Sequence, residues 1–436
     1  MDKARVLCVK LLLRCEEQGY SNLVLKAALD REELDTRDKQ FVSALLYGTL
    51  EKQRLIDALL DLYLKKPCVK LDAPVRAILR SGLYQCRWMD SVPAYAAINA
   101  AVELTRHFKK SSASGMVNAV LRRAAETDVK RLSFTSEKQE LATLFNVSDS
   151  VANMLCTAYP QYVQEILTAF ELPAPTVIRV NTLRCSREEL RRRLEDDGVK
   201  VSSLSLENAL EVSDCGNIAG TRAFHDGLFH VQGVGSQLAA MAVGAVPGET
   251  VFDLCAAPGG KSLTIAQQMN NTGHLFCGEF QSNRVGLIEA QFSRCGVTCA
   301  RIRCADAAVF DSELPLADAV LCDVPCSGTG TLSKKPDIRY KNIDASRTEL
   351  TRLQRLILET ASRYVRSGGR LVYSTCSLDP AENEAVVSSF LKMHPEFRES
   401  EISLEGYSGL KRSVGTLLLP VANKNDGFYI AKLRKM

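Results

Sequence analysis

Two cysteines stand where a thiol could do chemistry: Cys326 in "DVPCSGTG" and Cys376 in "YSTCSLDP". Each follows an apolar, β-prone run, "ADAVLC" and "RLVYS", and so closes a strand. Neighbouring strands lie ~5 Å apart, so thiols at two adjacent strand ends share one cleft. A free cysteine is by default a small buried apolar residue; the rival readings are a metal or disulfide partner and a nucleophile. Asp323 shortly before Cys326 completes a set with one specific capability. Carbon 5 of a pyrimidine reacts poorly with a methyl sulfonium, but a thiolate added to carbon 6 makes the ring an enamine-like nucleophile at carbon 5. An acid must then hydrogen-bond ring nitrogen N3, and a base must remove the carbon-5 proton before the first thiol can leave. Asp323, Cys326 and Cys376 suffice for this.

A second stretch, "DLCAAPGGKS", follows the strand "TVFDLC". Gly260, Lys261 and Ser262 fit the end of a phosphate-binding P-loop, but Cys255 takes the place of its first glycine. The G-x-G-x-x-G of a dinucleotide fold is missing as well. A third reading is a nucleoside-cofactor loop, in which Gly259 and Gly260 let the backbone approach a ligand. Glu279 ends the next strand, "HLFCGE", where an acid meets ribose hydroxyls, and Asp306 in "RCADA" ends the third, within reach of an adenine amino group. A P-loop has no use for these two acids, which favours the nucleoside reading.

These residues need a frame to hold them. From Thr250 onward the sequence alternates strands and helices: "TVFDLC", "GGKSLTIAQQM", "HLFCGEF", "SNRVGLIEAQFSRCG", "TCARIRC", "ADAVLCD", a long helix to "RYVRSGG", "RLVYSTC", the helix "PAENEAVVSSFLKMH", then "GTLLLPV" and "GFYIAKL". Such alternation predicts a doubly wound α/β sheet with its ligands at the C-terminal strand ends. Upstream, "TVIRVNTL", "SREELRRRLEDDG", "VKVSSL" and "ALEVSD" read as a small α+β unit, with Ser186 and Glu189 as a capping box and Gly198 as the stop. It joins the sheet through "GLFHVQGVGSQLAAMAV". "RLIDALLDLYL", "VRAILRSGLYQCRW" and "AAINAAVELTRHF" repeat apolar residues at three and four, with Pro67, Pro74 and Pro93 between them, and predict a helical bundle. The expected parts are 1–127, 128–232 and 233–436.

With 436 residues, 46% hydrophobic and 24% charged, the chain has material for two or three ordinary globular domains. No apolar run is long enough for a membrane span, and the N-terminus lacks a signal peptide's unbroken core, so a cytoplasmic protein is expected. The 15 cysteines then read as free thiols. Cys295, Cys299 and Cys304 cluster without the second pair a zinc site wants, so no metal is expected. Residues 1–127 carry 21 Lys and Arg against 15 Asp and Glu. A second stretch from Leu332 to Arg370 carries 10 basic against 4 acidic residues. Such charge suits solvated helix faces or nucleic-acid phosphates.

In their order and spacing, "DLCAAPGGK", "DVPCSGTG" and "YSTCSLDP" resemble the two-cysteine RNA cytosine-5 methyltransferases that use S-adenosylmethionine. "RVNTLR", "PDIRYK" and "NDGFYIAKL" extend the match, and "ALLYGTL", "VPAYAAINAAVEL" and "GMVNAVLRR" resemble the NusB-type RNA-binding domain. That fusion is typical of the bacterial Sun/Fmu branch, the small-subunit ribosomal RNA methyltransferase B group. The resemblance implies an all-α NusB-like domain, a small α+β RNA-binding unit and a Rossmann-like class I methyltransferase domain. It implies Cys376 as the nucleophile at carbon 6, Cys326 as the thiol that assists proton removal and release, Asp323 as the group orienting cytosine beside the cofactor, and Lys261 as an aid to the thiolate. S-adenosylmethionine would lie along Cys255, Ala256, Ala257, Pro258, Gly259, Gly260 and Lys261, its ribose at Glu279 and its adenine at Asp306. Small-subunit ribosomal RNA is the implied partner of a monomer with no membrane and no metal. Three departures stand out: Glu279 where Asp is usual, Val324 where Ala is commoner, and "QGVGSQL" without the acid often found after its Gln. The readings outside this family are a P-loop NTPase and an RNA-binding or transcription-factor module with an inert α/β domain.

Overall fold

The computed structural model describes residues 2–18, 25, 28, 34–335, 338–420 and 425–436. Val421 of "GTLLLPV" and Pro336 and Asp337 of "PDIRYK" lie outside them. The chain divides into two compact units: Met1–Cys156 with Lys335–Asn342, and Thr157–Lys334 with Ile343–Met436. The expected borders at 127/128 and 232/233 thus fall inside the units.

The first unit is helical: α1 (Lys3–Gln18), α2 (Thr36–Glu51), α3 (Gln53–Asp61), α4 (Ala73–Trp88), α5 (Ala94–His107), α6 (Ser114–Ala125), α7 (Glu137–Leu144) and most of α8 (Asp149–Ala158). Central α4 buries Val75, Ile78, Leu79 and Leu83 and packs against α1, α2, α3, α5 and α6. Gly48 permits the α2 crossing, because a Cβ there would sit 2.0 Å from the Tyr84 ring. α4 also carries Arg80 inward, where Asp57 accepts bonds of 2.8 and 2.7 Å and Glu16 one of 2.7 Å. A charge so buried stands only when paired. The returning segment Lys335–Asn342 is fixed on this unit. Tyr340 Oη donates to Glu51 O at 2.7 Å, Arg339 Nη1 to Phe145 O at 3.2 Å, and Ser148 N to Arg339 O at 2.7 Å.

In the second unit, α9 (Val163–Glu171) precedes a four-stranded antiparallel sheet of order β2-β3-β1-β4. Its strands are β1 (Thr176–Val180), β2 (Lys200–Ser203), β3 (Ala209–Ser213) and β4 (Phe229–Val231), and α10 (Arg187–Asp196) packs Leu190 and Leu194 onto Ile178, Val180 and Leu210. Half of the expected capping box is present: Ser186 Oγ accepts Glu189 N at 3.2 Å, whereas Glu189 Oε1 accepts Arg193 Nη2 at 2.7 Å; Gly198 has φ +79°. β4 lies in "GLFHV", which reads as a connection, since three residues are too few for alternation to show. Its pairing with β1, Ile178↔Val231 to Val180↔Phe229, makes it a strand.

α11 (Val234–Ala242) leads into the large mixed sheet. Its order is β11-β12-β13-β9-β8-β5-β6-β7, with β10 beside β13. The parallel half is β5 (Thr250–Asp253), β6 (His274–Glu279), β7 (Ala300–Cys304), β8 (Ala317–Asp323) and β9 (Val365–Thr375). Its crossovers include α12 (Gly260–Gln268), α13 (Ser282–Cys295) and α14 (Ile343–Tyr364). After α15 (Glu384–Met393), β10 (Phe397–Ser400), β11 (Leu410–Lys411), β12 (Thr416–Leu418) and β13 (Phe428–Lys435) add the antiparallel edge. Strand order reverses at β5, between β6 and β8, which opens the crevice for ligands. Three expectations shift. The long helix stops at Tyr364, because "VRSGG" enters the β8 ladder at Ala317↔Val365 through an irregularity, with Gly368 at φ +75°. "PAEN" is a turn before α15 instead of its first residues. β10 and β11 are additional strands: β10 pairs with distant β13, and the two-residue β11 forms a tight hairpin with β12.

Candidate active site

The two suspected thiols converge. Cys376 directly follows β9, Cys326 lies three residues beyond β8, and their Sγ atoms stand 3.4 Å apart. Asp323, at the end of β8, accepts Lys261 Nζ on Oδ2 at 2.6 Å and Ser374 Oγ on Oδ1 at 2.7 Å. Burial lowers the Lys261 pKa, but the Asp323 carboxylate outweighs it and holds the ammonium above its ordinary value. Lys261 also lies 5.4 Å from the centre of the Phe428 ring. Hydrogen bonding with Cys376 and burial push the Cys326 thiol well up, and the Glu382 and Asp323 carboxylates push it the same way.

Why "SGTG" follows Cys326 is now visible. Gly330 N donates to Cys376 O at 2.9 Å, and Gly330 O accepts Gly427 N at 2.8 Å. A Cβ on Gly330 would lie 2.1 Å from Gly427 O. The P-C loop is therefore threaded between the T-C loop and "NDGF" by bare backbone. Thr329 Oγ1 adds a bond from Leu378 N at 2.8 Å.

The loop from Cys255 to Lys261 bridges β5 and α12, with its chain turning at left-handed Gly259 (φ +105°), a conformation barred to most side chains. α12 begins at Gly260, so its positive end faces the loop. Cys255 and Ala257 are half-buried, Ala256 is buried and Pro258 is exposed. Burial pushes the Cys255 thiol well up, which marks it as an inert lining group. Behind the loop, Asp253 Oδ2 accepts Ser262 Oγ at 2.6 Å. Burial, offset in part by Ser262 and Lys261, raises its carboxyl to about 6. Glu279 is buried at the end of β6, and Asp306 is exposed just past β7. Gly278 comes so close to Leu254 O that a Cβ would approach it to 3.2 Å. A glycine-turned loop flanked by carboxylates at successive strand ends fits a nucleoside cofactor.

Several participants escape sequence reasoning. Arg284 of α13 lies 3.5 Å from Glu279 Oε1 and donates to Ala257 O at 3.1 Å, tying the second-strand acid to the loop. Phe280, directly after Glu279, leaves its ring 70% exposed beside the crevice. Only its place next to the acid could have pointed to it. Part of the basic stretch after Cys326 is already paired within the fold. Lys334 pairs with Asp426, Arg347 with Asp379, Arg366 with Asp318 and Arg370 with Glu249, all within 2.5–2.6 Å, and Arg339 is buried. Counting charge along a chain cannot see carboxylates brought in from elsewhere. Arg352 and Arg355 on α14 remain exposed.

Comparison with known proteins agrees with this layout. Residues 240–434 match the family 16S rRNA methyltransferase RsmB/F, residues 2–126 the NusB family, and residues 151–218 the ferredoxin-like domain of RsmF/B-like methyltransferases. A probable ribosomal RNA small subunit methyltransferase B from Synechocystis sp. is 34% identical over 96% of each chain. The chain belongs to that family. Its Bacillus subtilis relative, also a probable ribosomal RNA small subunit methyltransferase B, is 33% identical over 99% of this chain and 98% of its own. A solved methyltransferase homolog protein from Pyrococcus horikoshii, 27% identical, overlays 70% of this chain and all of its own at a TM-score of 0.62. Membership in a methyltransferase family sets aside the P-loop NTPase reading. The NusB match spans α1 to α6 of the helical first unit, and the fold is the expected combination of a NusB-like helical part, a small α+β part, which the match makes ferredoxin-like, and a Rossmann-like part.

Proposed function

We propose that this methyltransferase B family member, a cytoplasmic monomer, transfers a methyl group from S-adenosylmethionine to carbon 5 of a cytosine in small-subunit ribosomal RNA, through a covalent bond between Cys376 and carbon 6. The observation that carries this reading is the thiol pair, 3.4 Å apart just past the ends of β8 and β9, with the Asp323–Lys261 ion pair at the end of β8. Lining the cofactor are the loop from Cys255 to Lys261, Glu279 toward ribose and Asp306 toward adenine. S-adenosylmethionine held there supplies an electrophilic methyl group.

The chain's own groups do the rest. The Cys376 thiolate forms a bond to carbon 6, and the C5=C6 electron pair shifts toward N3. The proton of Cys326 passes through Asp323 to N3, leaving Cys326 as a thiolate. With carbon 5 methylated, Cys326 removes its proton, the C5=C6 bond re-forms and the C6–S bond breaks, returning Cys376 as thiolate. The N3 proton leaves as the one net proton of the reaction. Lys261 balances the negative charge at Asp323 and Cys376 throughout. Target cytosine must leave its stack to enter such a crevice. Exposed Arg352 and Arg355, the basic helical part (1–127) and the small α+β part (128–232) bind surrounding RNA through phosphates and shape.

The test compares Cys326→Ala with Cys376→Ala, each incubated with ribosomal RNA and S-adenosylmethionine and run on a denaturing gel. Cys326→Ala should accumulate a covalent protein–RNA adduct, whereas Cys376→Ala should give neither adduct nor methylated RNA. Adducts from Cys376→Ala alone would mean that the thiols exchange roles. Normal methylation by both variants would refute the mechanism.

A further inference from the structure

The carboxylate of Glu382 has no part in the scheme of two thiols, one acid and one lysine, yet it touches both cysteine loops. It follows Cys376 in "CSLDPAENE" and is 1% exposed. A turn folds it back: Glu382 N donates to Asp379 O at 3.0 Å, and Asp379 is held by Arg347 Nε at 2.6 Å. Oε1 accepts Ser377 Oγ at 2.8 Å. Oε2 accepts the backbone N–H of Ser327 and Nε2 of Gln354, both at 2.9 Å. Gln354, buried in α14, also donates to Pro325 O at 2.9 Å. Ser377 follows Cys376 and Ser327 follows Cys326, so one carboxylate fastens the residue next to each thiol.

Fastening alone does not call for a charge. Among the described residues no Lys, Arg or His pairs with Glu382, and an ion buried against neutral donors carries a desolvation cost of several kcal/mol. A neutral Gln of the same shape would avoid that cost. The surroundings give the charge a use. The Glu382 and Asp323 carboxylates both raise the Cys326 thiol, whereas the Lys261 ammonium, which already pairs with Asp323, lies within electrostatic reach of Cys376. We infer that Glu382 is a positioning residue that assigns the two thiols their parts, keeping their shared proton on Cys326 and leaving Cys376, on the lysine's side, to carry the negative charge. Its purpose rests on the methyl-transfer reading; the charge arrangement itself does not.

The experiment labels full-length wild type and Glu382→Gln with iodoacetamide at one pH and quantifies each cysteine by mass spectrometry. Single-turnover methylation and RNA affinity are measured alongside. The Cys376-to-Cys326 labelling ratio should fall about tenfold in Glu382→Gln, the worth of about one pK unit. Methyl transfer should slow while RNA affinity holds. An unchanged ratio, or methylation at the wild-type rate, overturns the inference. Glu382→Asp separates charge from fastening and serves if the Gln variant does not fold. It keeps the charge but shortens the reach, so its ratio should stay near wild type. A collapse there would mean that loop geometry, not charge, sets the ratio, and would overturn the assignment. If the ratio responds as expected but wild-type enzyme methylates no cytosine, the proposed reaction fails and the role of Glu382 stands.

Discussion

Replacing Gly330 by alanine tests how tightly the two cysteine loops are built together. The added methyl would lie 2.1 Å from Gly427 O and 2.9 Å from Cys376 O, and both are backbone atoms that cannot swing aside. Restoring ordinary contact near ~3.2 Å requires the segments to part by roughly 1 Å. The same residue makes the bonds to Cys376 O at 2.9 Å and from Gly427 N at 2.8 Å. Weakening both costs about 1–3 kcal/mol, and overpacking adds about 1–3 kcal/mol more. A loss of about 2–6 kcal/mol lowers the melting temperature of a unit of roughly 270 residues by about 3–10 °C. Because the shift falls on the carbonyl of Cys376, the thiol pair opens as well, and a misplacement of ~1 Å at reacting groups costs on the order of 100-fold in rate. Calorimetric melting and initial methylation rates would be read together. Gly115→Ala is the control: no heavy atom lies within 4 Å of its Cβ position in α6, so melting should hold or rise slightly. A Gly330→Ala enzyme that melts within about 2 °C of wild type and methylates within about twofold would refute the reasoning.

Two further outcomes follow from the cofactor side. Asp253 titrates at about 6 in the fold because of its burial, against a model-peptide value of ~3.9. The folded protein thus holds a proton there that the unfolded chain has lost, and this stabilisation is full below ~pH 4 and gone above ~pH 6. Wild type should lose about 3 kcal/mol relative to Asp253→Asn across that window, measured as stability against pH; a flat difference would show that the carboxyl titrates normally. Arg284→Ala removes the link between Glu279 and Ala257 O, so S-adenosylhomocysteine should bind about 5–20-fold more weakly by calorimetry, with melting nearly unchanged. Unaltered affinity would show that the loop holds its shape alone.

The legible and illegible parts of the site differ in the range of the interactions that define them. Cys326, Cys376, Asp323, Glu279 and Asp306 could be picked out because each sits at or just past the end of an apolar run, and a parallel sheet gathers strand ends into one crevice. Ser374, Glu382, Gln354 and Arg284 could not. Ser374 sits one residue before a strand end, but what makes it matter is Asp323 on the neighbouring strand. Gln354 lies mid-helix, polar in a pattern that reads as surface, and is buried where Pro325, 29 residues before it, and Glu382, 28 residues after it, meet its side chain. Which cations of the basic run after Cys326 are already paired was hidden for the same reason, since their carboxylate partners include Glu249, Asp318 and Asp426.

Local chemistry therefore determined a good deal in this protein. Helical periodicity marked the first unit, strand–helix alternation marked the sheet, the Ser186 cap and Gly198 bounded α10, and motif spacing placed the thiols and acids at strand ends. Tertiary structure alone decided which short segments pair as strands, as with β4 and the register at Ala317↔Val365. It also drew Arg339 and Tyr340 onto the helical unit, set the sulfur atoms 3.4 Å apart, and closed Gly330 against Gly427. Those outcomes depend on atoms far apart in the chain arriving at one place, where burial removes water and each polar group must find its partner among whatever the fold has brought there.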